Sequence, residues 1–291
     1  MGDQAYGFGG GNWTYDSSHV NVYKYDLSDN AWTTMTSCNY TRSNQQSGGA
    51  GYIDGYIFGG HGGGDSPYGI RKVEKYSISG NSWTIKNDQP ENEGGGSRPE
   101  PVSGHIYGGF GGNWKYAFAE DAWKGCPVVT GQDDAFGVGG IIYGCAYNNS
   151  WKYNPGTDSK TAIATIPTSE HASLGAGWGD GTYGYVSGGA GNPGTSRCDR
   201  YDPSGNSWSQ RASQGDARGN NGSFVISGKG HTFCGYSYPN TSSSYHGEYD
   251  NAGNSWTSKA SYPQSWSGVS GFYALANLPP NAPTGLSASS T

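Results

Sequence analysis

The chain has 291 residues and 52 glycines, against a usual glycine share of about 7%, yet only five leucines: Leu27, Leu174, Leu275, Leu278 and Leu286. Helical domains are excluded, because helices draw on Leu, Ala, Glu and Lys and each interior Gly costs about 1 kcal/mol. The net charge of -6 leaves no basic stripe for a phosphate backbone, and no apolar run approaches the ~20 residues that cross a bilayer, so neither nucleic acid nor membrane insertion is expected.

Aromatic residues replace the missing aliphatics, with 23 Tyr, 10 Trp and 8 Phe. Large rings that bury well and favour strands point to a folded all-β protein. In chain order a three-part pattern recurs. The first unit has Ala5-Tyr6-Gly7-Phe8-Gly9-Gly10, then Val22-Tyr23-Lys24-Tyr25-Asp26, then Asn30-Ala31-Trp32. The second has Gly55-Tyr56-Ile57-Phe58-Gly59-Gly60, Val73-Glu74-Lys75-Tyr76 and Gly80-Asn81-Ser82-Trp83. The third has Gly104-His105-Ile106-Tyr107-Gly108-Gly109, Trp114-Lys115-Tyr116 and Asp121-Ala122-Trp123. The fourth, with Ile141-Ile142-Tyr143-Gly144-Cys145 and Trp151-Lys152-Tyr153, is degenerate and puts Thr161 near the expected tryptophan. The fifth has Tyr185-Val186-Ser187-Gly188-Gly189, Arg200-Tyr201-Asp202 and Asn206-Ser207-Trp208. The sixth has His231-Thr232-Phe233-Cys234-Gly235, Glu248-Tyr249-Asp250 and Asn254-Ser255-Trp256. Each unit reads as an aromatic strand ending where glycines allow positive φ, a second strand, and a tight turn into an outer tryptophan that packs on its neighbour.

These residues resemble the kelch motif, whose repeat of about 50 residues forms one four-stranded propeller blade. The intervals of 51 residues from Trp32 to Trp83 and 48 from Trp208 to Trp256 agree. The resemblance implies an all-β, six-bladed kelch-like propeller over residues 1–277, followed at 278–291 by a proline-rich linker similar to the start of a fibronectin type III segment. The first unit lacks an innermost strand, and Ser267-Gly268-Val269-Ser270-Gly271-Phe272-Tyr273-Ala274 resembles the missing piece. The C-terminal strand is therefore expected to pair with the N-terminal blade and close the ring, which leaves no edge open to aggregation.

The loops after the double glycines are rich in flat aromatics beside amides and hydroxyls, the groups that stack on and hydrogen-bond to sugars. Trp13, Tyr15, His61, Tyr68, Trp114, Tyr147, Tyr236, Tyr238 and Tyr245 are the candidate ligand-binding residues. No catalytic residue, metal ligand or cofactor is expected. The five cysteines are too sparse for a disulfide framework and read as free thiols, and His105 and His231 occupy matching places in the motif strand. Low charge, polar composition and the absence of a signal peptide at Met1-Gly2-Asp3-Gln4 suggest a protein working outside cells without secretion. The chain resembles propeller-bearing phage tail and virion surface proteins. That resemblance implies a non-enzymatic, homo-oligomeric virion component whose partners are other virion proteins or host surface glycans. A secreted bacterial adhesin or filament subunit is the alternative. Galactose oxidase and its relatives share a kelch-like propeller and hold copper with two tyrosines, two histidines and a thioether-linked Cys-Tyr; this copper-enzyme reading ranks last, because the six histidines show no close pair in sequence.

Overall fold

The computed structural model describes residues 4–11, 18–43, 46–50, 54–62, 69–91, 101–102, 104–107, 114–126, 134–145, 149–167, 171, 175–189, 194–237 and 241–274. Its main sheets are six four-stranded antiparallel blades, as the repeat predicts. Blade one contains β1 (Gln4–Phe8), β2 (Val22–Asp26) and β3 (Ala31–Thr34). Blade two is β4 (Gln46–Ala50), β5 (Asp54–Phe58), β6 (Val73–Ser77) and β7 (Ser82–Lys86), and blade three is β8 (Pro101–Val102), β9 (His105–Tyr107), β10 (Trp114–Ala117) and β11 (Ala122–Gly125). Blade four is β12 (Asp134–Val138), β13 (Ile141–Cys145), β14 (Trp151–Asn154) and β15 (Ser159–Ala162). Blade five is β16 (Ala176–Gly179), β17 (Gly184–Ser187), β18 (Cys198–Asp202) and β19 (Ser207–Arg211). Blade six is β20 (Gly222–Ile226), β21 (Lys229–Phe233), β24 (His246–Asp250) and β25 (Ser255–Ser258), with the small hairpin of β22 (Tyr236–Ser237) and β23 (Thr241–Ser242) beside it.

Closure follows the sequence reading. β26 (Ser270–Ala274) is the innermost strand of blade one, antiparallel to β1, with Gln4 opposite Ala274 and Phe8 opposite Ser270. A further bridge joins Gly11 to Ser267.

The core lies in six apolar clusters, one at each seam between blades. At the seam of blades one and two, Phe272 stacks on Tyr6 and on Phe8 with centroids 5.3 and 5.2 Å apart, and Tyr6 packs against Tyr76 at 5.5 Å. Such ring pairs contribute about 0.5–1.5 kcal/mol each beyond the area they bury. Inner strands converge so closely that at Gly177 a Cβ would overlap the carbonyl oxygen of Ala135 in the preceding blade. The first glycine of each described pair turns the chain through positive φ, and Cys234 takes that place in blade six at φ 58.

The ladder corrects two details of the sequence alignment. Tyr116 in blade three lies opposite Ile106, so Tyr107 occupies the place that Tyr56 holds opposite Lys75. His105 falls opposite Ala117 at the strand start, whereas His231 lies opposite Glu248, so the two histidines are not equivalent. In blade four it is Lys160, not Thr161, that faces Tyr153 where the other blades carry tryptophan. Its ammonium sits 4.7 Å from the Trp151 ring centre, a cation–π contact in place of the missing indole.

Candidate functional site

The double-glycine end of the ring is where the repeat ceases to repeat. In blades one, five and six the second glycine donates its N–H across a seam: Gly10 to the carbonyl of Arg42 at 3.0 Å, Gly189 to that of Arg218 at 2.9 Å, Gly235 to that of Trp266 at 2.8 Å. Arg42, Arg218 and Trp266 are therefore equivalent latch residues, each entering the next blade. The residue after the latch then pairs with the residue after the double glycine of its own blade, as Ser43 with His61, Gly219 with Tyr236 and Ser267 with Gly11.

The latch side chains differ in chemistry. Arg42 is fully buried and donates to the carbonyls of Gly59 (3.0 Å) and Lys72 (3.1 Å) and to Glu74 Oε2 (2.6 Å). In blade five His171 does the same work: its Nδ1 meets the Gly188 carbonyl at 2.5 Å and its Nε2 meets Asp199 Oδ2 at 2.8 Å. Arg197 supports that carboxylate from the side at 2.5 Å, and these hydrogen bonds hold Asp199 below its usual pKa against the opposing effect of its burial. Arg218 donates to the carbonyls of Cys234, Tyr245 and Thr232 and to Thr232 Oγ1, with its guanidinium 4.2 Å from the Tyr245 ring centre. Trp266 instead stacks on His19 with centroids 4.3 Å apart.

Of the nine residues that the sequence nominates for ligand binding, Trp13, Tyr15, Tyr68, Tyr147 and Tyr238 lie outside the described residues. Tyr236 is buried in its small hairpin, and Tyr245 is engaged beneath Arg218 with its hydroxyl accepting from the Gly215 N–H at 3.3 Å. Trp114 is half-buried as the first residue of β10 rather than in a loop, while His61 sits half-buried at the double-glycine end. Among the four described, Tyr236 and Tyr245 share blade six, and His61 and Trp114 stand on blades two and three. Sequence reasoning missed Arg42, His171 and Arg218, because nothing local marks a buried polar side chain whose partners lie 14 to 32 residues away.

Two histidines do form a close pair in space. His246 Nδ1 faces the Ala260 carbonyl at 3.1 Å and so carries a proton, leaving its Nε2 to accept from His231 Nδ1 at 3.0 Å. His231 Nε2 then points at Glu248 Oε2, 3.4 Å away, an electrostatic contact rather than a well-formed hydrogen bond. Contact with His231 and with Lys259 holds the Glu248 carboxyl down at about 2, while burial depresses both imidazoles.

The fold and its seams define a six-bladed β-propeller whose blades are latched by buried side chains. No protein-family model matches the chain, and a search of curated proteins returns no match. Among solved structures the chain is similar to a fungal alcohol oxidase of the AA5 family in complex with copper, at a TM-score of 0.60 and 14% identity, over 90% of this chain and 63% of that one. The chain thus spans less than two thirds of that oxidase.

This likeness corrects the functional expectation. The sequence reads as a non-enzymatic virion surface protein, with an adhesin as the alternative; the alcohol oxidase to which the chain is similar is instead an enzyme, and that likeness offers no support for a phage particle, glycan attachment or a fibronectin-like sequel. The physical reason is that a propeller is a scaffold for unrelated functions, and polar aromatic loops look alike whatever they face.

The copper of galactose oxidase-like centres is not matched by this chain's described residues. All six histidines are described, and none of them completes a group of three or more His, Cys, Asp or Glu side chains placed to hold a metal among the described residues. His231, His246 and His171 are committed to the partners above. His19 lies opposite Arg42 and His61 opposite Ser43, and adjacent strand residues face opposite sides, so these two diverge. The five cysteines are free and buried, with Cys126 raised to about 11 and Cys38 to about 12 by burial.

Proposed function

We propose that the chain is the propeller of an oxidase-like enzyme, with substrate approaching the double-glycine end of the ring. The observation that carries this reading is the likeness to an alcohol oxidase across 90% of the chain. Propellers use the loops at one mouth for binding, and the latch residues Arg42, Arg218 and Trp266 mark the double-glycine end of this ring. The reaction class is two-electron oxidation of a hydroxyl carbon, in which an alcohol loses two hydrogens to become a carbonyl and dioxygen takes them up as hydrogen peroxide.

The test is oxygen uptake by the purified full chain, with and without added copper(II), on a panel of primary alcohols. The reading expects dioxygen consumed and peroxide formed in equal amount with aldehyde. Uptake no greater than that of a protein-free blank, with every alcohol and in both metal conditions, overturns it.

A further inference from the structure

Five blades carry one type of cross-strand pair between the aromatic strand and the next: Tyr6 with Lys24, Tyr56 with Lys75, Tyr107 with Lys115, Tyr143 with Lys152 and Tyr185 with Arg200. Blade six has His231 with Glu248 there. Beside that pair His246 lies opposite Phe233, the place that Val22 holds opposite Phe8 and Val73 opposite Phe58. Two buried imidazoles and a buried carboxylate thus replace a tyrosine, an aliphatic and a basic residue, at the seam where the last blade meets the first.

The hydrogen bonds of this cluster limit the protons it holds. His246 Nδ1 and the Trp32 indole of blade one both donate to the Ala260 carbonyl, at 3.1 and 3.0 Å, so His246 belongs to the clamp that joins the two blades. Its ring also meets that of Tyr25 in blade one edge-on, with centroids 4.6 Å apart. His246 Nε2 is left to accept from His231 Nδ1 across 3.0 Å. A proton on His231 Nε2 points at Glu248, whereas a proton on His246 Nε2 sets two N–H groups against each other, and the rings must part to admit it.

The charged and titratable groups around the pair are Glu248, Lys229, Lys259 and Arg218, with Tyr25 from blade one. Burial first, then His231, and also Arg218 and Lys259, hold His246 well below the ordinary histidine value. The folded chain keeps His246 neutral while the unfolded chain titrates near about 6.5, so its contribution is whole above that pH and is lost as pH falls below it. Glu248, held down at about 2, keeps its charge throughout that window.

We infer that this seam is an acid-sensitive latch: proton uptake at His246 parts the two imidazoles, frees the Ala260 carbonyl and loosens blade six from blade one. The latch goes beyond the oxidase reading and is measured without any activity.

Amide and indole hydrogen exchange of the full chain, followed by NMR, tests it. The Trp32 indole and Ala260 amide report this seam, and the Trp256 indole and Ala212 amide are the matching pair at the seam of blades five and six. From about pH 7.5 to about pH 5.5 the first pair is expected to lose protection roughly tenfold relative to the second. His231→Tyr combined with His246→Val places the residues of blades one and two in blade six, and is expected to abolish that loss. Protection that changes equally at the two seams, or the same tenfold loss in the double variant, overturns the latch. If the double variant fails to fold, the comparison of the two seams in the unaltered chain decides.

Discussion

One residue at each turn does two jobs. Asn30, Asn81, Asp121, Asp158, Asn206 and Asn254 all sit at positive φ, between 45° and 52°, where Asn and Asp are better tolerated than other L-residues. The side-chain oxygen of each accepts a hydrogen bond from the hydroxyl of the tyrosine five residues earlier, as from Tyr201 to Asn206 at 2.8 Å and from Tyr249 to Asn254 at 2.8 Å. Asn206 also accepts the N–H of Ala164 in the preceding blade at 2.8 Å. Asn206→Ala loses both bonds and places a Cβ-bearing residue without a polar side chain in left-handed backbone, so urea unfolding is expected to show a loss of about 2–3 kcal/mol. Asn206→Asp should lose less, since Asp121 and Asp158 hold the same place. Stability of the Ala variant equal to wild type would contradict the double role. The Gly-Asn-Ser-Trp turn is plain in the sequence, but the bridge is not, because its second partner lies 42 residues upstream.

At the scale of the strand, the outer tryptophans complete each clamp. Trp32 donates its indole N–H to Ala260, Trp83 to Thr36, Trp123 to Asn87, Trp208 to Ala164 and Trp256 to Ala212, always a backbone carbonyl of the preceding blade at 2.7–3.1 Å. Four of these carbonyl residues give their own N–H to the turn Asn of the same blade as the tryptophan, so the seam is bonded both ways. Trp208→Phe keeps most of the packing and removes the donor, so an unfolding free energy lower by about 1–2 kcal/mol is expected by chemical denaturation. A change below about 0.3 kcal/mol would show that the ring alone holds the seam. The seam of blades three and four has Lys160 where this tryptophan belongs. That the tryptophans pack across blades is legible from their spacing. The register of blades three and four is not, because aligning on double glycines fixes only one strand end, and a one-residue slip exchanges which side chains are buried.

For the molecule as a whole, the sequence carries the architecture and withholds the chemistry. Six units, five of them with all three ordered elements and the fourth lacking its tryptophan, and a spare strand at one end, are enough to specify a closed ring. What the sequence withholds is which side chains meet from distant positions, as His231 meets His246 and Arg218 meets the carbonyls of Cys234 and Tyr245. The same loops that read as sugar-binding surface belong to a ring shared with an oxidase, which is why function did not follow from composition.

Closure by the two chain ends is the claim on which the ring depends, and amide hydrogen exchange tests it most directly. Chain termini ordinarily fray and exchange quickly. If β26 and β1 share one ladder, the amides of Gln4–Phe8 and Ser270–Ala274 that bond within it will exchange as slowly as those of the strands in blade five, through global unfolding. Fast, independent exchange in both segments while blade five stays protected would contradict the closed ring.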